Sequence, residues 1–371
     1  MMPPAGAPRA GAPLPGLTSS ELSSFAMGRA QFRNRETPAS GLGPIFNDVS
    51  CFACHSGPAL GGASRITVTR FGRVVDGDFD PLTELGGSLL QRRSISPAVR
   101  EIVPPEANVV AQRQTTPLWG LGLIEAIPDA AIRALAARPV VDGVQGRVAV
   151  VTDIVSGEQR VGRFGWKNQH ATLLAFSADA FRNEMGITNR FFPDENAPNG
   201  KKELLDQFHL PDGPEDTVDP ATGKASMDLV TDFVRLLAPL PTLPITGAAL
   251  TGQTVFQQSG CAVCHVPRLQ TGASDVAALN LKPVLLYSDL LLHDMGKLGD
   301  GIAQEAAGPS EFRTAPLWGL RGSAPFLHDG RARTVDQAIR MHEGQGSVAR
   351  DRYLALSPAE RQQLLLFLNT L

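Results

Sequence analysis

Apolar residues recur at helical spacing in four segments, and these form two similar pairs. The segment Met27-Gly28-Arg29-Ala30-Gln31-Phe32 and the segment Gly252-Gln253-Thr254-Val255-Phe256 share the pattern Gly-x-x-x-Phe. One helical turn sets the glycine and the aromatic ring on the same face. Two further apolar runs, DLVTDFVRLLAPL from Asp228 and AERQQLLLFLNTL at the C-terminus, have the same period. The last run opens with Ser357, Pro358 and Glu360, a capping box with proline at the first helical position, so its start is well specified.

Other stretches follow a period of two. ITVTRFGRVV near residue 70 alternates apolar and polar positions, and VAVVTDIVSGEQRVGRFG reads as a hairpin turning at Ser156-Gly157. Between the helical pairs, PLPTLPITG carries Pro239, Pro241 and Pro244, which break the helix and mark a boundary. A nearly identical octapeptide also recurs, TTPLWGLG at 115–122 and TAPLWGLR at 314–321. The order is therefore helix, cysteine motif, octapeptide, helix, met twice, and such internal repeats predict an internal duplication. The expected fold is mainly α: two cytochrome c-like domains, 18–240 and 245–371, with small β-hairpin insertions in the first. Residues 1–17, rich in Pro, Ala and Gly, are expected to be a disordered lead-in.

The four cysteines occupy one motif in two copies, SCFACHSG at 50–57 and GCAVCHVP at 260–267. Cys-x-x-Cys serves thiol exchange, zinc binding or covalent haem attachment, and the histidine that follows each pair favours the last. In that reading Cys51, Cys54, Cys261 and Cys264 become thioethers to two haem c groups, and His55 and His265 are the proximal iron ligands. A shared four-cysteine zinc site is the alternative.

A net charge of −3 argues against a nucleic-acid or anionic-membrane partner, and no apolar run reaches the length of a membrane span. Haem attachment at this motif takes place outside the bacterial cytoplasm, so a periplasmic or otherwise extracytoplasmic location is expected. MMPPAGAPRAGAPLPG has no apolar segment that would serve as a signal peptide.

What each iron does depends on its other face. His170, His209, His293, His328 and His342 remain as candidates there, as do Met27, Met185, Met227, Met295 and Met341. The motifs FNDVSCFACHSGPALGG, TTPLWGLGLIEAIPD, RFGWKNQHATLLAF, YSDLLLHDMG and FRTAPLWGL resemble the di-haem oxidoreductase family, also labelled "thiol oxidoreductase". That family is distantly related to bacterial di-haem cytochrome c peroxidases, and the resemblance runs from about Thr18 to the C-terminus.

In those peroxidases an F-H-D-G motif is followed fourteen residues later by the distal ligand of the electron-transfer haem. This chain has His328-Asp329-Gly330 and, fourteen residues beyond His328, His342. The resemblance therefore implies that His342 closes the C-terminal haem, with Met341 as the neighbouring alternative and a dipole-stabilised helix-end histidine as the plain one. Thr334 and Gln337 cap the helix that leads to His342, and Gly344 ends it. His293 and His328 are similar to residues that flank the haem without ligating it, and would serve equally as core histidines. Phe164-Gly165-Trp166 resembles a segment whose tryptophan sits between the haems. Asn183-Glu184-Met185-Gly186 resembles one whose glutamate works on the distal face of the peroxidatic haem, though the proline of that pattern is missing.

A carboxylate suits that place, because heterolysis of a peroxide O–O bond requires a proton to move from one oxygen to the other. The expected catalytic residues are thus Glu184, Trp166 and His170, the last in the distal pocket. The plainer alternative leaves Glu184 solvated on a short amphipathic helix. Calcium is a further cofactor the peroxidases suggest. DGDFD at 76–80 has alternating carboxylates but lacks the length of a dedicated calcium loop, and reads better as a polar turn; Asp194 and Glu195 are equally open.

The implied activity is peroxide reduction at the N-terminal haem, with electrons delivered to the C-terminal haem by a small cytochrome c or cupredoxin. The same frame would serve a di-haem oxidase acting on an organic or protein substrate. If both irons were closed, it would serve a non-catalytic electron-transfer cytochrome.

Overall fold

The computed structural model describes residues 8–207 and 218–371. Its organising contacts are two helix crossings. The helix Ser19–Arg33 packs on Ser226–Leu236, and Ala248–Gln258 packs on Pro358–Leu368. Glycine permits both. A Cβ on Gly28 would lie 2.0 Å from the Leu229 carbonyl oxygen, and one on Gly252 would lie 1.9 Å from that of Gln363. One turn on, Phe32 meets Phe233 at 4.8 Å between ring centroids, and Phe256 meets Phe367 at 5.4 Å. All four rings are buried, each stabilising the crossing by about 1.5–3 kcal/mol. The helix caps follow the sequence: Ser357 and Glu360 form the capping box, and Thr334 accepts from the Gln337 amide.

The β structure is more widely distributed than expected. The strand Thr67–Val75 pairs with Asp78–Asp80, Leu89–Leu90 and Val109–Gln114. Ala149–Thr152 and Gln159–Gly162 form the anticipated hairpin. Two more pairs lie in the C-terminal part: Leu269–Gln270 with Pro283–Val284, and Leu292–Asp294 with Glu311–Arg313. The strand that ends at Gln114 leads into TTPLWGLG, and the strand that ends at Arg313 leads into TAPLWGLR.

The lead-in is also different from its expectation. Residues 1–7 lie outside the described part, but residues 8–17 are ordered. Leu14 N–H donates to Leu236 O at 2.8 Å and Ala238 N–H donates to Ala12 O at 3.0 Å. Main-chain groups pair regardless of side-chain composition, and burial of Leu14 adds an apolar anchor. The proline-rich stretch around Pro239–Pro244 has no helix or strand. The Leu243 amide and the Pro241 carbonyl tie it to Thr370 and Arg321.

Candidate haem site and the residues between its two centres

Each cysteine motif forms a single tight turn. Cys51–Cys54 is one helical turn, begun by Ser50, whose hydroxyl accepts from Ala53 N–H, and closed by His55 N–H donating to Cys51 O at 3.0 Å. Cys261–Val263 is a 3-10 turn that follows Gly260, and His265 N–H donates to Cys261 O at 3.0 Å. Both imidazoles then turn Nδ1 to a backbone carbonyl, His55 to Gly62 at 3.2 Å and His265 to Tyr287 at 3.0 Å. A ring that donates through Nδ1 keeps its lone pair on Nε2, the tautomer a metal-bound histidine needs. Burial pulls both rings down to about 4, so they are neutral at physiological pH.

The thiols do not suit exchange chemistry. Burial pushes Cys51, Cys54 and Cys261 up to about 12, the opposite of the lowered value an exchange pair needs. All four cysteines are free. Among the described residues the one group able to offer three metal-ligand atoms is Cys264, Asp289 and His293, so the four cysteines do not gather around a zinc ion. A neutral imidazole and two unpaired thiols on one turn fit a covalently attached porphyrin.

A cavity of about 300 Å³ opens beside the second motif. Cys261, Cys264 and His265 line it, and so do His342, Trp166 and His328. His342 Nδ1 donates to Ala338 O at 2.8 Å, which leaves Nε2 without its proton, and burial lowers its pKa. Its charge would depress His265 further, so the two rings are electrostatic neighbours. Met341 does not line the cavity and is 37% exposed. His293 is held by Asp289 at 3.0 Å and by Gln345 at 2.8 Å. His328 stacks on Phe312 with centroids 4.3 Å apart. His209 lies outside the described residues.

Trp166 stands where the N- and C-terminal parts meet. Its indole N–H donates to Gln114 O at 2.9 Å, its own carbonyl accepts from Arg313 N–H at 2.9 Å, and its ring meets Phe312 and His328 edge-on. The next residue, Lys167, is fully buried with Asp300, which also holds Arg113 at 2.7 Å.

Glu184 sits near the other cysteine pair. It is near the C-terminal end of the helix Leu173–Met185, which stops at Gly186 in the left-handed conformation. Asn47 donates to Glu184 Oε2 at 2.8 Å, and the backbone amides of Asn47 and Asp48 donate to its carbonyl. Burial raises its pKa, and its charge is felt by both Cys51 and Cys54. The side chain is half-buried and hydrogen-bonded to Asn47. His170 does not line the cavity. Its Nε2 is 3.4 Å from Asp179 Oδ2, in ion-pair range but outside hydrogen-bond geometry. Burial would raise Asp179, but His170 and Arg70 outweigh it and hold the carboxyl low.

The proposed calcium positions do not converge. Asp76 and Gly77 make the turn between two strands, and Asp80 is taken by Arg73 and the Leu82 amide. Asp194 is exposed, whereas burial lifts Glu195 to about 7. The sequence reading missed Arg113, Asp179, Asp289, Asp300 and Arg313. Of these, Arg313 carried a sequence signal, since it adjoins the repeated octapeptide, opposite Gln114 in the other copy, and Asp289 lies in the motif YSDLLLHDMG.

No curated protein matches the chain. Among solved structures, hydrazine synthase of Kuenenia stuttgartiensis is similar at 15% identity and TM-score 0.41, over 100% of this chain and 98% of that one. A MauG-like protein associated with microbial copper homeostasis is similar at 17% and 0.44, over 99% and 94%. A variant of the diheme peroxidase BthA of Burkholderia thailandensis is similar at 14% and 0.43, over 94% and 85%. A family model described as "Di-haem oxidoreductase, putative peroxidase" matches residues 97–371, most of the chain and the whole of the second cysteine motif with its cavity. The chain belongs to the di-haem oxidoreductase family.

Proposed function

We propose that the protein carries two covalently attached haem c groups, one in each of two repeated domains (18–240 and 245–371). It reduces hydrogen peroxide at the N-terminal one, and electrons from a small cytochrome c or cupredoxin arrive through the C-terminal one. The same reading places it in the periplasm. The observation that carries the proposal is the contrast between the two histidine surroundings. His265 shares its cavity with a second neutral imidazole, His342, that has a free Nε2. His55 has instead a half-buried carboxylate, Glu184, whose charge is felt by its cysteines.

When bound, haem supplies the one-electron couple and, where an axial position is open, the point at which peroxide is split. Hydrogen peroxide takes two electrons and two protons and leaves as two waters. The chain's own share is to close one centre and to serve the other with protons. His342 Nε2 would provide the closing ligand. Glu184 would provide the proton group: Asn47 fixes Oε2, and burial raises the carboxyl's pKa above that of a free glutamate. Trp166, bonded to Gln114 and Arg313, holds an aromatic ring in a fixed place between the two parts.

The test is carbon monoxide binding by the fully reduced protein, run beside peroxide-dependent oxidation of a reduced cytochrome c. One haem in two is expected to bind the gas, and turnover is expected. If neither haem binds it and no turnover occurs, the protein is an electron carrier.

A further inference from the structure

Buried cations are rare without a counter-charge, because desolvation penalises the charged form heavily. Arg313 is such a case. It is 8% exposed, and among the described residues no carboxylate pairs with it. Burial alone acts on its guanidinium, which is drawn down to about 10. Nε donates to Gly165 O at 3.0 Å, whereas Nη1 is buried without any partner. The residue lines the same cavity as Cys261, Cys264, His265 and His342. Arg113 makes a useful contrast, since that buried guanidinium has Asp300 at 2.7 Å.

We propose that Arg313 is an anion anchor in the cavity wall and takes a carboxylate of the C-terminal porphyrin, one of its two propionates. This rests on the di-haem reading above. A planar guanidinium with a free N–H edge matches a carboxylate in shape and charge. The opposite position in the other octapeptide copy is Gln114, which also lines the cavity with a buried and unpartnered atom, Oε1. The consequence is orientation. Arg313 is bonded through its backbone to Trp166 O and through Nε to Gly165 O. A propionate held by Arg313 would therefore lie on the Trp166 side of the cavity.

The experiment compares wild type, Arg313→Gln and Arg313→Lys, all as mature haem-loaded protein. Haem content is checked first, and fewer than two haems per wild-type chain would fail the di-haem reading itself. Resonance Raman spectra then report the propionate bending bands, and redox titration reports the two midpoints. In Arg313→Gln a propionate band shifts and the midpoint of the C-terminal haem alone falls; in Arg313→Lys the band shifts with the midpoint largely retained. Unmoved bands in a variant that holds two haems overturn the proposal. So does a wild-type response of the C-terminal Soret band to added acetate that Arg313→Gln abolishes with its bands unmoved, since the anchor would then serve a free carboxylate. If Arg313→Gln fails to mature, the same band is read in Arg313→Lys.

Discussion

Gly120 lies against the Trp318 ring so closely that a Cβ would stand 2.7 Å from its Cζ2, and Gly319 in turn lies against Trp119, where a Cβ would stand 3.3 Å from Cε3. Each octapeptide thus presents its glycine to the tryptophan of the other. Both glycines are in the left-handed region, at φ 76° and 73°. Gly120→Ala combines backbone strain of about 1–2 kcal/mol with overpacking of about 1–3 kcal/mol. Gly319→Ala meets a looser contact and is expected to cost less. Urea unfolding of the two variants beside wild type checks the order.

On the proposed reading, His342 serves one centre only. Its replacement by alanine is expected to convert the C-terminal haem from low to high spin and to let it bind carbon monoxide when reduced, while the N-terminal haem is unaffected. Replacement by methionine is expected to restore a low-spin centre at a higher potential. Electron paramagnetic resonance and redox titration report both changes. A low-spin spectrum left intact in the alanine variant would remove His342 from the iron.

Glu184→Gln keeps the shape of the side chain and the Asn47 contact but removes the titratable proton. Peroxide turnover is expected to fall by about 10²- to 10⁴-fold, with the absorption spectrum of the resting protein unchanged. Steady-state assay with a reduced cytochrome c measures the loss, and full activity in this variant would rule out the role.

Asp300 links stability to pH. Burial alone would raise its pKa, but Arg113 and Lys167 outweigh it, and the carboxyl sits below its ordinary value of 3.8. A depressed folded-state value means that the contribution is present above that pH and is lost as pH falls through the lower, folded-state value. Asp300→Asn leaves two buried cations without their partner and is expected to cost about 3–5 kcal/mol at neutral pH. The variant should also lose part of the acid-side decline in stability. Urea midpoints across the acid range, compared with wild type, check the sign.

Much of this was legible because it depends on local rules. Gly28 with Phe32 and Gly252 with Phe256 marked the face of each helix on which the crossings are then made. Ser357 and Glu360 fixed the last helix, and the period of two fixed the hairpin at Ser156. Arg113 and Asp300 could not be read in this way. They are 187 residues apart and lie at positions where one charged residue looks like any other surface charge. Their burial is a property of how the two parts meet. Residues 8–17 failed for another reason: composition reports on side chains, but Ala12 and Leu14 are held through main-chain groups.

The seam around Trp166 is sewn largely with backbone. Arg313 N–H meets Trp166 O, Arg147 and Leu292 exchange amide bonds, and Asn168 reaches Leu290 O. Sutures of this kind do not loosen one at a time as rotamers do, so a hinge opening here would have to tear several at once. On the di-haem reading, the spacing between the two centres is therefore expected to stay the same across oxidation states. Solution scattering of the oxidised and the reduced protein should accordingly see the same outline.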